Sequence, residues 1–377
     1  MRKMIAAMLS LVMMGSLAAC GTKKGTEKND SAVKKTVGIA MPSDKLERWN
    51  SDGDYLRSLF EKAGYEVKLI YSDNDPTRQN NDILSMLNEG VDLLLIAAVD
   101  SSTLTKSLEE AKGKEIPVVA YDRLIMNTNA VTYYVSFDNN VVGRLQGEFV
   151  RDALDLENAK GPFNIEFISG DSADNNARFF FNGAYDALKK YIDSGKLVSP
   201  SGKTTFEKTA TKDWSTENAK TEMTRRLSAY FSGAKLDAVL CANDSTALGV
   251  EEAIEESYKL KNVPVITGQD GDNENLKKLV DGKQSMTVFK NVRDEASVAF
   301  EVCKRLLNDE VPTGKLVESL AVDVTYDSES YNNGVKYVQS YLLVPTVITK
   351  DNLQIMVNTG LYQWDAENKY IESVNKQ

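Results

Sequence analysis

The chain contains no histidine. That absence removes the usual catalytic base near neutral pH, the Ser-His-Asp triad and histidine-based metal sites together. Cysteine is nearly absent too, with three residues. Cys20 sits at the end of an N-terminal apolar segment. Cys241 closes an apolar run and Cys303 falls in a helical pattern, so each reads as a small buried hydrophobe. A bridge between them stays open, because spacing alone does not decide pairing. Past residue 20 there is no long apolar run, hence no candidate spanning helix. Net positive charge is lacking as well. A value of -10 at pH 7 argues against nucleic acid or an anionic lipid surface as the ligand. The acidic run Asp270-Gly271-Asp272-Asn273-Glu274-Asn275 falls short of a calcium loop. Its sixth position is Asn275 where glycine is needed, and a closing glutamate is missing. No metal and no cofactor is expected.

What is present begins with a leader. Met1-Arg2-Lys3 is a basic start, Ile5 to Leu17 is apolar with small residues, and Leu17-Ala18-Ala19-Cys20-Gly21 follows. The apolar run is short for a bilayer span and has the pattern of a secretory signal peptide. The last five residues resemble a bacterial lipobox, which implies lipidation at Cys20. Residues 21–35 are Gly, Thr, Ser, Lys and Asn with almost nothing apolar, as in a flexible tether. The expectation is an exported chain, lipid-anchored to the cell membrane on its outer side.

About 340 residues remain, which suggests two domains. Their composition is globular, 42% hydrophobic and 27% charged. From Thr36 a strand-helix alternation barely pauses. Strands are expected at Thr36–Met41, Tyr65–Tyr71, Val91–Ala97, Pro117–Tyr121 and Val131–Phe137. A second set follows at Phe163–Ile168, Thr204–Thr209, Leu236–Cys241, Val263–Thr267 and Ser285–Phe289. Helices lie between them and at 291–308. Regular βαβ spacing predicts an α/β protein of two similar lobes, each with a doubly wound parallel sheet and right-handed crossovers.

Polar residues gather where these strands end. Glu47-Arg48-Trp49, Asp122-Arg123, Asp174-Asn175-Asn176, Asn243-Asp244 and Gln269-Asp270 each follow a strand, as do Lys290 and Asp213-Trp214. In open parallel sheets that edge is where ligands bind. Any single Asp or Asn there can instead cap a helix, and capping is the reading for Ser172, Asp244 and Asp272. Capping does not explain Arg48, Arg123 or Lys290, since cations are disfavoured at helix N-termini. Two facing lobes would make a cleft of Arg, Lys, Asp, Asn and two indoles, Trp49 and Trp214. Such a cleft suits a sugar. Each hydroxyl donates and accepts, and a ring's C–H faces suit flat aromatics.

The same residues carry a family resemblance. Ile39-Ala40-Met41-Pro42 with Glu47-Arg48-Trp49, Ala120 to Ile125, Ser136-Phe137-Asp138-Asn139, Asp174-Asn175-Asn176-Ala177, Ala242-Asn243-Asp244 and Gly268-Gln269-Asp270 resemble the xylose-binding and multiple-sugar-binding branch of the periplasmic sugar-binding proteins. The resemblance spans about residues 36–360. It implies the type I periplasmic-binding-protein fold, with two Rossmann-like lobes linked at a hinge by three crossing segments. It also implies sugar contacts from Arg48, Trp49, Arg123, Asp174, Asn176, Trp214, Asn243, Asp270 and Lys290. Trp214 is anchored only by the local Asp213-Trp214, and Trp364 reads as structural. Residues 36–140 plus 291–322 would form one lobe, and 141–290 plus 323–377 the other.

The implied function is that of a solute-binding lipoprotein of a sugar ABC transporter. It would bind an aldopyranose such as D-xylose, glucose or galactose, close on it and deliver it to a permease, acting as a monomer. Presentation of the closed form to a membrane sensor is the alternative. A glycosidase reading is weaker, because carboxylates flanked by Arg and Lys stay ionised and make poor general acids. A transcription regulator of the same architecture would need a DNA-binding headpiece where this chain has a leader.

Overall fold

A computed structural model describes residues 34–374. The leader, Cys20 and nearly all of the tether lie outside the described residues.

The first lobe opens with β1 (Thr36–Met41), α1 (Glu47–Lys62), β2 (Glu66–Tyr71), α2 (Pro76–Asn88), β3 (Leu93–Ile96), α3 (Thr105–Gly113), β4 (Val118–Tyr121) and β5 (Val131–Phe137). β3, Leu-Leu-Leu-Ile, is buried throughout, as a central parallel strand covered on both faces should be. Helix starts follow local chemistry. Asp75 caps α2 through the amides of Thr77 and Arg78, with Pro76 in the first turn. Gly90, at φ +80°, lets the chain turn out of that helix toward β3.

The second lobe continues with α4 (Asn139–Ala153), β6 (Phe163–Ile168), α5 (Asn175–Asp193), β7 (Leu197–Val198), α6 (Phe206–Thr209), α7 (Thr216–Tyr230), β8 (Ala238–Cys241), α8 (Asp244–Ser257), β9 (Val265–Ile266), α9 (Asn273–Val280) and β10 (Thr287–Phe289). Its parallel sheet runs β7-β6-β8-β9. α10 (Val292–Leu307) then returns and packs on α1 and on the first sheet. β11 (Val324–Asp327), β12 (Gln339–Leu343), β13 (Thr346–Ile348), α11 (Gln354–Asn358), β14 (Tyr362–Trp364) and β15 (Ile371–Ser373) complete the chain.

Two expectations need correction. Residues 204–209 were expected as a strand. Residues 206–209 form α6 instead, where the Thr209 hydroxyl donates to the carbonyls of Thr205 and Phe206. Ala210 alone bridges to Ser169. Lys-Thr-Thr-Phe has β-type residues, but the local hydroxyl bonds and the burial of Phe206 beside Phe181 prevail. The segment from 323 was expected on the second lobe. Residues 324–343 join the first: β12 runs parallel to β5 and β11 antiparallel to β12, giving a seven-stranded sheet ordered β11-β12-β5-β4-β3-β1-β2. That addition covers the β5 edge and packs Tyr341 against Tyr133 and Tyr326. Only from β13 onward does the tail lie on the second lobe, where β13 pairs with β10. There Ile348, Leu353, Met356 and Ile371 share a core with Phe289, and Trp364 packs at its edge.

The chain therefore passes between the sheets after β5, after β10 and after β12. Two of these passages are tied by a hydrogen bond from the Asp138 amide to the Leu343 carbonyl, 3.2 Å. Cys241 and Cys303 are both buried free thiols. No helix among the described residues is long and apolar enough to cross a membrane.

Candidate functional site

The strand ends converge on one cavity between the lobes. It is lined by Leu46, Arg48, Trp49, Asp122, Arg123, Asp174, Asn176, Phe180, Trp214, Asn243, Gln269, Asp270 and Lys290. Every residue that the resemblance assigned to the site is among them. The empty space is about 330 Å³, counted with its mouth.

Charge is organised around Arg48. Its Nη1 lies 2.9 Å from Asp122 Oδ2 and 3.8 Å from Asp270 Oδ1. Its Nη2 lies 2.9 Å from Asp52 Oδ2 and 3.2 Å from Glu295 Oε2. Lys290 Nζ stands 3.4 Å from both Asp122 and Asp270. Burial alone would push the Asp122 carboxyl up, but Arg48, Lys290 and Arg123 outweigh it and hold the group at about 2. Arg123 Nε is 2.9 Å from Asp174 Oδ2, an ion pair without hydrogen-bond alignment. Burial outweighs that pairing and raises the Asp174 carboxyl. Arg123 is fixed from behind by the Ala98 carbonyl, 2.9 Å from Nη1.

The backbone carries strain where these groups are presented. Asp122, Trp214 and Asp270 have φ of 56°, 54° and 102°. Each such residue costs about 1–3 kcal/mol and persists only when its surroundings impose it. For Asp122 those surroundings are visible. Its carbonyl accepts from Asn176 Nδ2 at 2.6 Å, Tyr134 Oη at 2.7 Å and Ser136 Oγ at 2.9 Å. The Asp270 loop is held by Asp244, whose Oδ2 accepts from the Gly271 and Asp272 amides, both at 2.9 Å. Gln284 and Thr287 also donate to Asp244.

Aromatic surfaces close the cavity. Arg48 and Arg123 lie over the Trp49 ring, 4.3 and 5.1 Å from its centroid. Trp214 meets Phe180 edge to face at 6.3 Å. Gly170 makes room for that indole, since a Cβ there would overlap the Trp214 ring. Gly143 does the same for Phe180: a Cβ would strike its backbone, so α4 and α5 can approach only at glycine. The cavity also holds unused polar atoms. Trp49 Nε1, Trp214 Nε1, Gln269 Oε1 and Asp270 Oδ1 are buried without a hydrogen-bond partner among the described residues. Native interiors rarely leave such atoms unpaired, so the cavity is built for a polar ligand that both donates and accepts.

Capping and site roles turn out to be shared rather than exclusive. Asp174 caps α5 through the Asn176 amide at 2.9 Å, and Asn243 caps α8 through Thr246 at 3.0 Å. Ser172 precedes the cap position, and the Asp244 carboxylate holds the neighbouring loops instead of capping. The sequence reading missed Leu46 and Phe180, and it set Asp122 and Gln269 in the strand-end clusters without counting them among the sugar contacts. Phe180 had a usable signal, because it follows Asn176 by four helical positions and shares its face.

Among the described residues no group of His, Cys, Asp and Glu could hold a metal ion. The donor set here, carboxylates already paired with Arg and Lys, is that of a neutral polyol site.

Comparison with known proteins agrees in family and in fold. A family model described as a periplasmic binding protein domain matches residues 37–310. A multiple sugar-binding periplasmic receptor from Rhizobium radiobacter is 39% identical over 362 residues, 95% of this chain and 99% of that protein. The D-xylose-binding periplasmic protein of Escherichia coli K12 is 33% identical over 351 residues, 93% of this chain and 98% of that protein. An ABC transporter solute binding protein from Clostridium phytofermentans, solved with β-D-glucose bound, superposes with a TM-score of 0.82 at 45% identity. That match covers 89% of this chain and 99% of the other. The chain belongs to the periplasmic binding protein family, in its type I sugar-binding branch, and is a binding protein rather than an enzyme.

Proposed function

We propose that the chain binds a single aldopyranose, such as D-glucose, D-xylose or D-galactose, in this cavity and closes its lobes around it. The observation that carries the reading is the cavity itself, where Arg48, Arg123, Lys290, Asp174, Asn176, Asn243 and Asp270 surround a space walled by Trp49, Trp214 and Phe180. The relatives named for sugar and the glucose-bound neighbour support the ligand class. Contacts already span the cleft: Asn176 Nδ2 to the Asp122 carbonyl, and the Ser101 amide to the Ala173 carbonyl at 2.9 Å. A sugar bridging both lobes adds to these and stabilises the closed form by its differential contacts. Discrimination between sugars should be steep, because a missing or inverted hydroxyl leaves buried charged groups unpaired.

The closed form would be delivered to the permease of an ABC transporter, in keeping with the Clostridium neighbour's description. Presentation to a membrane sensor is the second reading, favoured by the word receptor in the Rhizobium relative's name. Loss of labelled-sugar uptake in cells lacking the chain supports delivery, and intact uptake supports sensing.

The test of the ligand is a thermal-shift screen against D-xylose, D-glucose, D-galactose, L-arabinose and D-ribose. Binding to the folded state alone raises the melting temperature by mass action. A clear rise with one or two pyranoses is expected, and no rise with any of them would sink the reading. We also propose lipid anchoring through Cys20. Cys20→Ser should move the protein from the membrane fraction to the medium or periplasm; unchanged fractionation would count against the anchor.

A further inference from the structure

Behind the cavity, and not lining it, lie Asp52 on α1 and Glu295 on α10. Both side chains are wholly buried. Each places one oxygen on the same nitrogen, Arg48 Nη2, at 2.9 and 3.2 Å. The other oxygen of each, Asp52 Oδ1 and Glu295 Oε1, is buried without a hydrogen-bond partner among the described residues. The groups facing this pair are Arg48, Asp122, Tyr121, Tyr134, Tyr71 and Lys290, with Asp270 on the far side of Arg48. Arg123 is engaged separately with Asp174. Four carboxyl groups thus surround Arg48 and Lys290. A buried surplus of negative charge of that size is not sustained, so protons are retained instead.

We infer that Asp52 and Glu295 are positioning residues that share a proton and hold Arg48 by Nη2, so that Nη1 is presented to the ligand beside Asp122 and Asp270. Burial raises both carboxyls, as two coupled acids facing one cation require. The consequence is a link between ligand and proton. A sugar filling the cavity displaces solvent from the Nη1 face of Arg48, and that loss of solvation disfavours charge on the acids behind it and favours the protonated form of the pair. Sugar binding therefore takes up a fraction of a proton near neutral pH.

This inference rests on the sugar reading, and its test separates the two. Titration calorimetry of the unaltered protein, using the pyranose with the largest thermal shift, is run in two buffers of different protonation enthalpy. Proton uptake between zero and one per sugar is expected. With it, affinity weakens as pH rises from about 5 to about 8, by at most about tenfold per unit. Glu295→Gln, whose amide keeps an oxygen for Nη2 but cannot titrate, should lose the uptake and flatten the dependence of affinity on pH. Asp52→Asn should weaken binding by at least about tenfold, because Nη2 then loses its nearer anion. Binding without proton uptake in the unaltered protein overturns the inference while leaving the sugar reading intact. Uptake that persists in Glu295→Gln overturns the shared proton. No binding heat with any pyranose overturns the sugar reading itself, and this inference with it.

Discussion

Arg48→Ala is expected to abolish the thermal response to every pyranose and to lower the melting temperature of the unliganded protein. Two consequences come from one side chain, because Arg48 both faces the cavity and neutralises what lies behind it. Its removal leaves Asp52, Asp122 and Glu295 buried with Lys290, and with Arg123 beside Asp122, as the cations that remain. Breaking a buried pair by deleting one partner costs about 3–5 kcal/mol. A neutral arginine is no escape. Burial acts to lower the guanidinium's pKa, but Asp122, Asp52, Glu295 and Asp270 together raise it well above its ordinary value. Arg48→Lys should fail too, because a point charge cannot hold Asp52 and Asp122 on separate nitrogens. The matching pH behaviour follows from Asp122. Its carboxyl is held at about 2, below its unfolded range. The stability it contributes is full above that range and is lost as pH falls toward about 2. Unfolding curves at several pH values check this. A variant that kept both sugar response and stability would remove Arg48 from the centre of the account.

Glu166→Leu is expected to destabilise the second lobe by about 3–5 kcal/mol without removing the sugar site. Arg226 on α7 is fully buried. Its Nη1 donates to Glu166 Oε2 and to the Phe167 carbonyl, both at 2.8 Å. Its Nε donates to Glu222 at 2.7 Å. Glu166 also accepts from the amide and hydroxyl of Ser201, at 3.0 and 2.6 Å. The substitution leaves the buried Arg226 with Glu222 as its one remaining anion and takes the acceptor from both Ser201 donors. Glu166→Leu combined with Arg226→Met should recover much of the loss, because an apolar pair needs no neutralisation. Denaturant unfolding measures both variants. Glu166 does not line the cavity, so sugar stoichiometry at low temperature should be unchanged. A single variant as stable as the unaltered protein would show that Arg226 finds other partners.

Much of this site was legible before any fold was known, and the reason is local. Arg48, Arg123 and Lys290 follow apolar strands at positions where helix capping disfavours cations. Trp49 and Trp214 stand beside charges in strand-end loops. What escaped was non-local or conformational. Asp122 shows in the sequence only as one polar residue of a strand-end cluster, and a left-handed backbone pinned by Tyr134, Ser136 and Asn176 turns it into the partner of Arg48 and Lys290. Asp52 and Glu295 look like ordinary acids on amphipathic helices. They meet only because α10 returns from the second lobe to pack on α1. β12 pairs with β5 across about 200 residues, and nothing in its own few residues announces that partner. Residues 204–209 failed for the opposite reason, since a true β-type composition was overruled by hydroxyl bonds to the preceding turn.

The most direct test is a crystal structure of the protein grown with the pyranose that gives the largest thermal shift. One ring should lie in the interlobe cavity beside Trp49 and Trp214. Its hydroxyls should be bonded to Arg48, Arg123, Asp174, Asn176, Asn243, Asp270 and Lys290, with Asp52 and Glu295 behind Arg48 and out of contact. A sugar seated elsewhere, or a cavity still without sugar at saturating concentration, would contradict the account.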